Sequence, residues 1–227
     1  MDETPPVDPR ESVRRWIPDE LPPHGQWQAT VRLAAALRRT IDLMMDRDAP
    51  EDVMRSAAEA TERFAERLAS FPQGRSLFGY AETSTAGNPK AMFDSSPLIG
   101  LANPIAPPIT ISVTEKGIEG RVTYGAAYEG PVGHVHGGVV ASGFDEVLGM
   151  VQSLGGNPGM TGTLNVRYRS PTPLHREVVF RGWIERVDGR KTFTAGTLHA
   201  GDTLCAEAEG LFIAVDWERF HRLAQEQ

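Results

Sequence analysis

Residues 130–149 read GPVGHVHGGVVASGFDEVLG, and four of them, His136, Gly137, Gly138 and Asp145, are of types that serve acyl transfer when brought to one carbonyl. The apolar run that begins after Gly138 has helical spacing. The first N–H groups of a helix lack intrahelical partners, and glycine lets a ligand oxygen come close to them. A carbonyl oxygen seated there would have its developing negative charge stabilised by those donors and by the helix dipole. The same glycines also fit a tight strand-to-helix turn with no ligand at all. Asp145 could act as a nucleophile or as a base on water, or it could pair with an arginine.

Spacing separates these two functions. Asp145 follows Gly138 by seven residues, so the two lie on nearly one helix face but roughly 10 Å apart along the axis. A base and an oxyanion donor must both come within roughly 3 Å of one reacting group. One helix does not easily supply both. A two-fold pair of chains with these helices antiparallel would set Asp145 of one against the His136-Gly137-Gly138 turn of the other. Glu146, the next residue, points about 100° away and is the weaker catalytic candidate.

Other chemistries fit less well. Ser142 in VVASGF lacks the first glycine of a nucleophile elbow. His134 and His136 share a face of an extended chain, but no further Cys/His cluster accompanies them, so no metal site is expected. No glycine loop fits a nucleotide phosphate cradle. Cys205 stands in an alternating strand as a core residue. In the strand starting near 161, Leu164, Val166 and Tyr168 should face the helix. Thr161, Thr163, Asn165, Arg167 and Arg169 should share the other face. The two arginines suit phosphate, or else a solvated strand face or ion pairs at a dimer interface, and both readings stand.

The rest of the chain has to position these groups. Residues 1–25 form a proline-rich arm. Residues 26–70 carry two amphipathic stripes, Val31, Leu33, Leu37, Ile41, Met44 and Met45, then Val53, Ala57, Ala60, Phe64 and Leu68, which predict a helical hairpin. Residues 71–108 read as a long wrapping loop with buried apolar side chains. Residues 109–216 alternate as strands at 109–113, 118–124, 162–170, 177–187, 191–199 and 203–214, around an all-round apolar helix at 138–154. Residues 217–227 are a tail. Such an α+β chain buries the helix by wrapping an antiparallel sheet around it.

Composition narrows the setting. A net charge of −7 lacks the basic excess that nucleic-acid binding requires. A single cysteine excludes an internal disulfide framework and points to a reducing compartment. No run of about 18 apolar residues is present, so a cytoplasmic location without a membrane span is expected.

VHGGVVASGFDEVLG, TGTLNVRYRSPTPL and AEAEGLFIAVD, taken together, resemble the hotdog-fold acyl-CoA thioesterases of the PaaI-like type over residues 97–216. The resemblance implies a long helix wrapped by an antiparallel sheet of about six strands, working as a homodimer or a dimer of dimers with sites between chains. It implies hydrolysis of an acyl-CoA thioester with no cofactor beyond the CoA of the substrate. Asp145 matches the catalytic carboxylate, Gly137 the backbone oxyanion donor with His136 shaping the turn, and Thr161 the hydroxyl that orients water. Gly138, Arg167 and Arg169 fall at substrate-binding positions. The chain departs from the pattern at Gly130, where some members carry an asparagine. A non-catalytic acyl-CoA binder and an enoyl-CoA hydratase are the alternatives on the same fold.

Overall fold

The computed structural model describes residues 25–72, 90–156 and 158–215. Four helices, α1 Gln26–Asp46, α2 Glu51–Ala69, α3 Lys90–Ser95 and α4 Gly137–Ser153, accompany six strands. The strands are β1 Thr110–Val113, β2 Ile118–Thr123, β3 Gly159–Tyr168, β4 Glu177–Asp188, β5 Lys191–Ala200 and β6 Thr203–Ala214. They form one antiparallel sheet in the order β1-β2-β4-β5-β6-β3. The long connection through α4 carries the chain from β2 to the opposite edge, where β3 is outermost.

The sheet wraps α4. Val140, Phe144, Val147, Leu148, Met150 and Val151 of the helix are all at most 1% exposed. Each such side chain contributes roughly 1.5–3 kcal/mol on burial, which is why a helix apolar nearly all round can exist here. Phe144 meets Phe180 of β4 edge to face, ring centroids 5.1 Å apart. Gly143 permits that approach, because a Cβ there would stand 2.4 Å from Phe180 Cζ.

Residues 93–109, which lead into the sheet, bury Phe93, Ile99 and Ile109 in the core and add polar contacts. Arg38 of α1 donates to the carbonyls of Leu101 and Asn103, the latter at 2.7 Å. Asp42 accepts from the Ala127 N–H of the 3-10 turn Ala126–Tyr128. The fully buried Ser96 accepts from the Leu98 and Ile99 N–H groups and donates to Glu146 at 3.0 Å. One hydroxyl thus ties residues 96–99 to the central helix.

Two sequence expectations need correction. Residues 71–108 are not loop throughout, since α3 lies within them; 73–89 are outside the described residues. The two N-terminal helices do form, but α2 does not pack as one arm of a hairpin. It has no buried residue, and Val53, Met54, Phe64 and Leu68 are exposed. Its apolar stripe predicts a helix correctly and says nothing about what would cover it. The expected arm at 1–25, apart from Gly25, and the tail at 217–227 lie outside the described residues.

Burial raises the Glu146 carboxyl to about 7 from 4.5, the Ser96 hydrogen bond opposing this and nearby Asp145 adding to it. Between those two values the folded chain keeps a proton that the unfolded chain releases, so stability falls as pH rises through that window and levels off above it. Relative to Glu146→Gln, the wild type should lose at most about 3 kcal/mol between pH 4.5 and 7. Chemical denaturation at stepped pH checks this, and parallel curves for the two proteins would refute it. Gly143→Val should destabilise by roughly 1–3 kcal/mol through overpacking against Phe180, seen as a lower melting temperature.

Candidate active site

The turn into α4 is built by residues 129–138. Glu129 and Val135 form an antiparallel bridge, and His134 forms another with Pro173. The His136 N–H donates to the Tyr128 carbonyl at 2.9 Å, holding the histidine in extended backbone just before the helix. Its ring then turns back, and Nδ1 accepts the Gly138 N–H at 3.0 Å. His136 therefore caps α4, a role consistent with shaping the turn.

This cap corrects one assignment. The Gly138 N–H is already held by His136 and is not a donor free for substrate. The Gly137 N–H has no hydrogen-bond partner among the described residues. Beside it lies a cavity of about 340 Å³ lined in part by Gly137, Val140, Tyr168 and Arg169. Tyr168, expected only to pack on the helix, donates its hydroxyl to the Gly137 carbonyl at 2.7 Å while remaining half exposed. Sequence reasoning missed this contact. The signal was present, because a polar-tipped residue stood on the helix-facing side of the strand.

Gly130 explains the departure from the asparagine pattern. A Cβ at that position would lie 2.7 Å from His136 Cα. The loop closes where a longer side chain would need room. Polar assistance to a carbonyl here can come from backbone, not from residue 130.

Asp145 lies on an exposed part of the otherwise buried helix, and it accepts a hydrogen bond from Thr161 Oγ at 2.8 Å. Simple alternation would put Thr161 on the outer face with Thr163. Instead the register of β3 against β6 shifts between them: Thr161 pairs with Phe212 and Thr163 with Leu211, leaving Gly162 as an extra residue. Phe212 is 2% exposed and belongs to the core side of β6. The bulge therefore turns Thr161 inward to Asp145 and leaves Thr163 outside, a local redirection that β-bulges produce.

The two arginines behave differently from a free phosphate clamp. Arg169 pairs with Glu207 at 2.7 Å and Arg167 with Glu209 at 3.3 Å, both through side chains of the neighbouring strand. These are cross-strand ion pairs, and Arg169 alone of the two also lines the cavity beside Gly137. His134 turns its Nδ1 to the Val132 carbonyl at 2.8 Å. Among the described residues no three His, Cys, Asp or Glu side chains converge as metal ligands, and no helix is long and apolar enough to cross a membrane.

Within one chain, the site is in two parts. Gly137 and Asp145 are eight residues apart on α4, roughly 12 Å of helix rise. Thr161 and Asp145 come together; Gly137, Tyr168 and Arg169 form the other group. A single carbonyl does not bridge them.

The sequence profile described as Thioesterase superfamily matches residues 132–208, which span the Gly137 turn, Asp145 and Thr161. Acyl-coenzyme A thioesterase THEM4 of Mus musculus is 36% identical over 97 residues, 42% of this chain and 42% of that protein. The THEM4 of Xenopus laevis is 39% identical over 93 residues, 39% of this chain and 41% of its own length. The chain thus matches about two fifths of the length of these curated relatives. A crystal structure of a thioesterase superfamily protein reaches much further, superposing with a TM-score of 0.72 at 32% identity over 85% of this chain and 97% of that one. With a helix-wrapping sheet shared over nearly the whole of that relative, this chain belongs to the thioesterase superfamily and has its hotdog fold.

Proposed function

We propose that the protein hydrolyses an acyl-CoA thioester to the free acid and CoA at a site shared between two chains of a homodimer, as in PaaI-like members of the family. The observation that carries the reading is the Thr161-to-Asp145 hydrogen bond at 2.8 Å. Asp145 is a carboxylate exposed on an otherwise buried helix, and the Thr161 hydroxyl fixes one of its oxygens, which orients it for work on a substrate carbonyl.

The roles follow from what each group can do. Thr161 holds one carboxylate oxygen, Oδ1, and leaves Oδ2 available. Asp145 then takes a proton from water as that water attacks the thioester carbon, or attacks it directly to form an anhydride that water later opens. In both cases the C–S bond breaks and CoA departs as the thiolate. The carbonyl oxygen becomes an oxyanion, which the Gly137 N–H of the other chain stabilises, aided by the N-terminal end of that chain's α4. His136 fixes the cap that leaves this N–H free. No cofactor is required, because a thioester is already electrophilic.

The second chain is supplied by an edge. β3 is a ten-residue outermost strand with one side unpaired, and long open edges invite pairing. Two-fold pairing there would lay two α4 helices side by side and bring Asp145 of one chain toward Gly137 of its partner. Arg169, at the cavity beside Gly137, is placed to meet the pantetheine or phosphate portion of CoA once that group competes with Glu207.

The test is release of free thiol from short, long and aromatic acyl-CoAs. Asp145→Asn should lower kcat by about 10²–10⁴-fold; Thr161→Val should lower it by a smaller factor with little change in melting temperature. Turnover retained by Asp145→Asn would overturn the mechanism. Tight acyl-CoA binding without turnover by the wild type would instead make the protein a binder.

A further inference from the structure

A second cavity, of about 550 Å³, shares no lining residue with the one beside Gly137. It lies between α1, the segment 104–108 and the turn after β2. That volume is within the range of small-molecule sites, roughly 300–1,000 Å³. Its wall is largely apolar: Ile41 from α1, Ile105 with the neighbouring prolines, and the ring of Tyr128, whose hydroxyl is turned to the Ile105 carbonyl at 2.9 Å.

The charges are unevenly employed. Arg38 is engaged with the carbonyls of Leu101 and Asn103, and Asp42 with the Ala127 N–H. Arg39 also lines the cavity, is exposed, and has no hydrogen bond or ion pair among the described residues. Two guanidinium groups against one carboxylate leave the cavity with one positive charge in excess. His175 stands on the same wall with φ of 56°, the sole non-glycine residue at positive φ among those described, its N–H held by the Tyr124 carbonyl at 2.8 Å. Such a backbone is kept only where its surroundings fix it, and here it places a polar residue on the wall of an apolar cavity.

We infer that this cavity is a binding site for a monocarboxylate with an aliphatic body, its head on the Arg39 guanidinium and its chain along the proline wall. One net positive charge matches one carboxylate, whereas a dianionic phosphate would leave one negative charge unmatched. The site is independent of the thioesterase reading, and binding is measured without turnover.

Titration calorimetry with decanoate as the probe and decanol as its uncharged counterpart tests the site on the full chain. Decanoate is expected to bind the wild type and Asp145→Asn alike at one site per chain. Arg39→Glu and Ile105→Asp should each weaken it about tenfold, the size of one charge-assisted contact or of a lost apolar wall. Decanol should bind the wild type more weakly than decanoate and be indifferent to Arg39→Glu. Thioester turnover, where present in the wild type, should persist in Arg39→Glu, whose melting temperature verifies folding. The inference is overturned if the wild type fails to bind decanoate, if both cavity variants bind it normally, if decanol binds as well, or if Asp145→Asn alone abolishes binding.

Discussion

The hydrogen bond from Thr161 to Asp145 is the contact on which the catalytic reading depends, and it exists because β3 carries one residue more than its partner strand. Without Gly162 in the bulge, alternation would turn Thr161 outward beside Thr163 and leave the carboxylate without its hydroxyl. The bulge lies at an edge strand, where a local break in the ladder disturbs one neighbour only. The rest of the fold supports this arrangement. α4 is buried on the faces that carry Val140, Phe144, Val147 and Val151, so its rotation about its own axis is fixed, and Asp145 has one direction to point.

The same rigidity separates the two halves of the site. A straight helix keeps Gly137 and Asp145 roughly 12 Å apart however the side chains turn. His136 takes the Gly138 N–H and leaves the Gly137 N–H unpaired, Tyr168 pins the Gly137 carbonyl, and Gly130 lets the preceding loop close on His136. Each half is well ordered inside one chain. Chemistry on one carbonyl then calls for two chains, and the open edge of β3 beside Thr161 is where a second one would join.

Much of this was legible from residue spacing, because the period of 3.6 in 138–154 and of two in the strands follows directly from what each element buries. Asp145 stood out as a charge inside an apolar helix. What spacing did not reveal were features set by register or by distant partners. Thr161 was placed on the wrong face, since a bulge changes the parity of a strand without altering the residue types. For Arg167 and Arg169 the choice between phosphate and ion pairs stayed open, because their glutamate partners are fixed only when β6 pairs with β3. The bond between Ser96 and Glu146 joins residues fifty positions apart, and no local pattern announces it. The exposed stripe of α2 shows the converse: amphipathic spacing specifies a helix and not the surface that covers it.

The shared site is most directly tested by mixing two inactive chains. Gly137→Pro removes the N–H at the first position of α4, where proline is tolerated and where His136 already has the extended backbone that a following proline requires. Asp145→Asn removes the carboxylate. If each half comes from a different chain, statistical mixing of the two variants after subunit exchange should restore about one quarter of wild-type turnover, from mixed dimers with one intact site. A mixture as inactive as either variant alone, with mixed dimers shown to form, would contradict a site built across two chains.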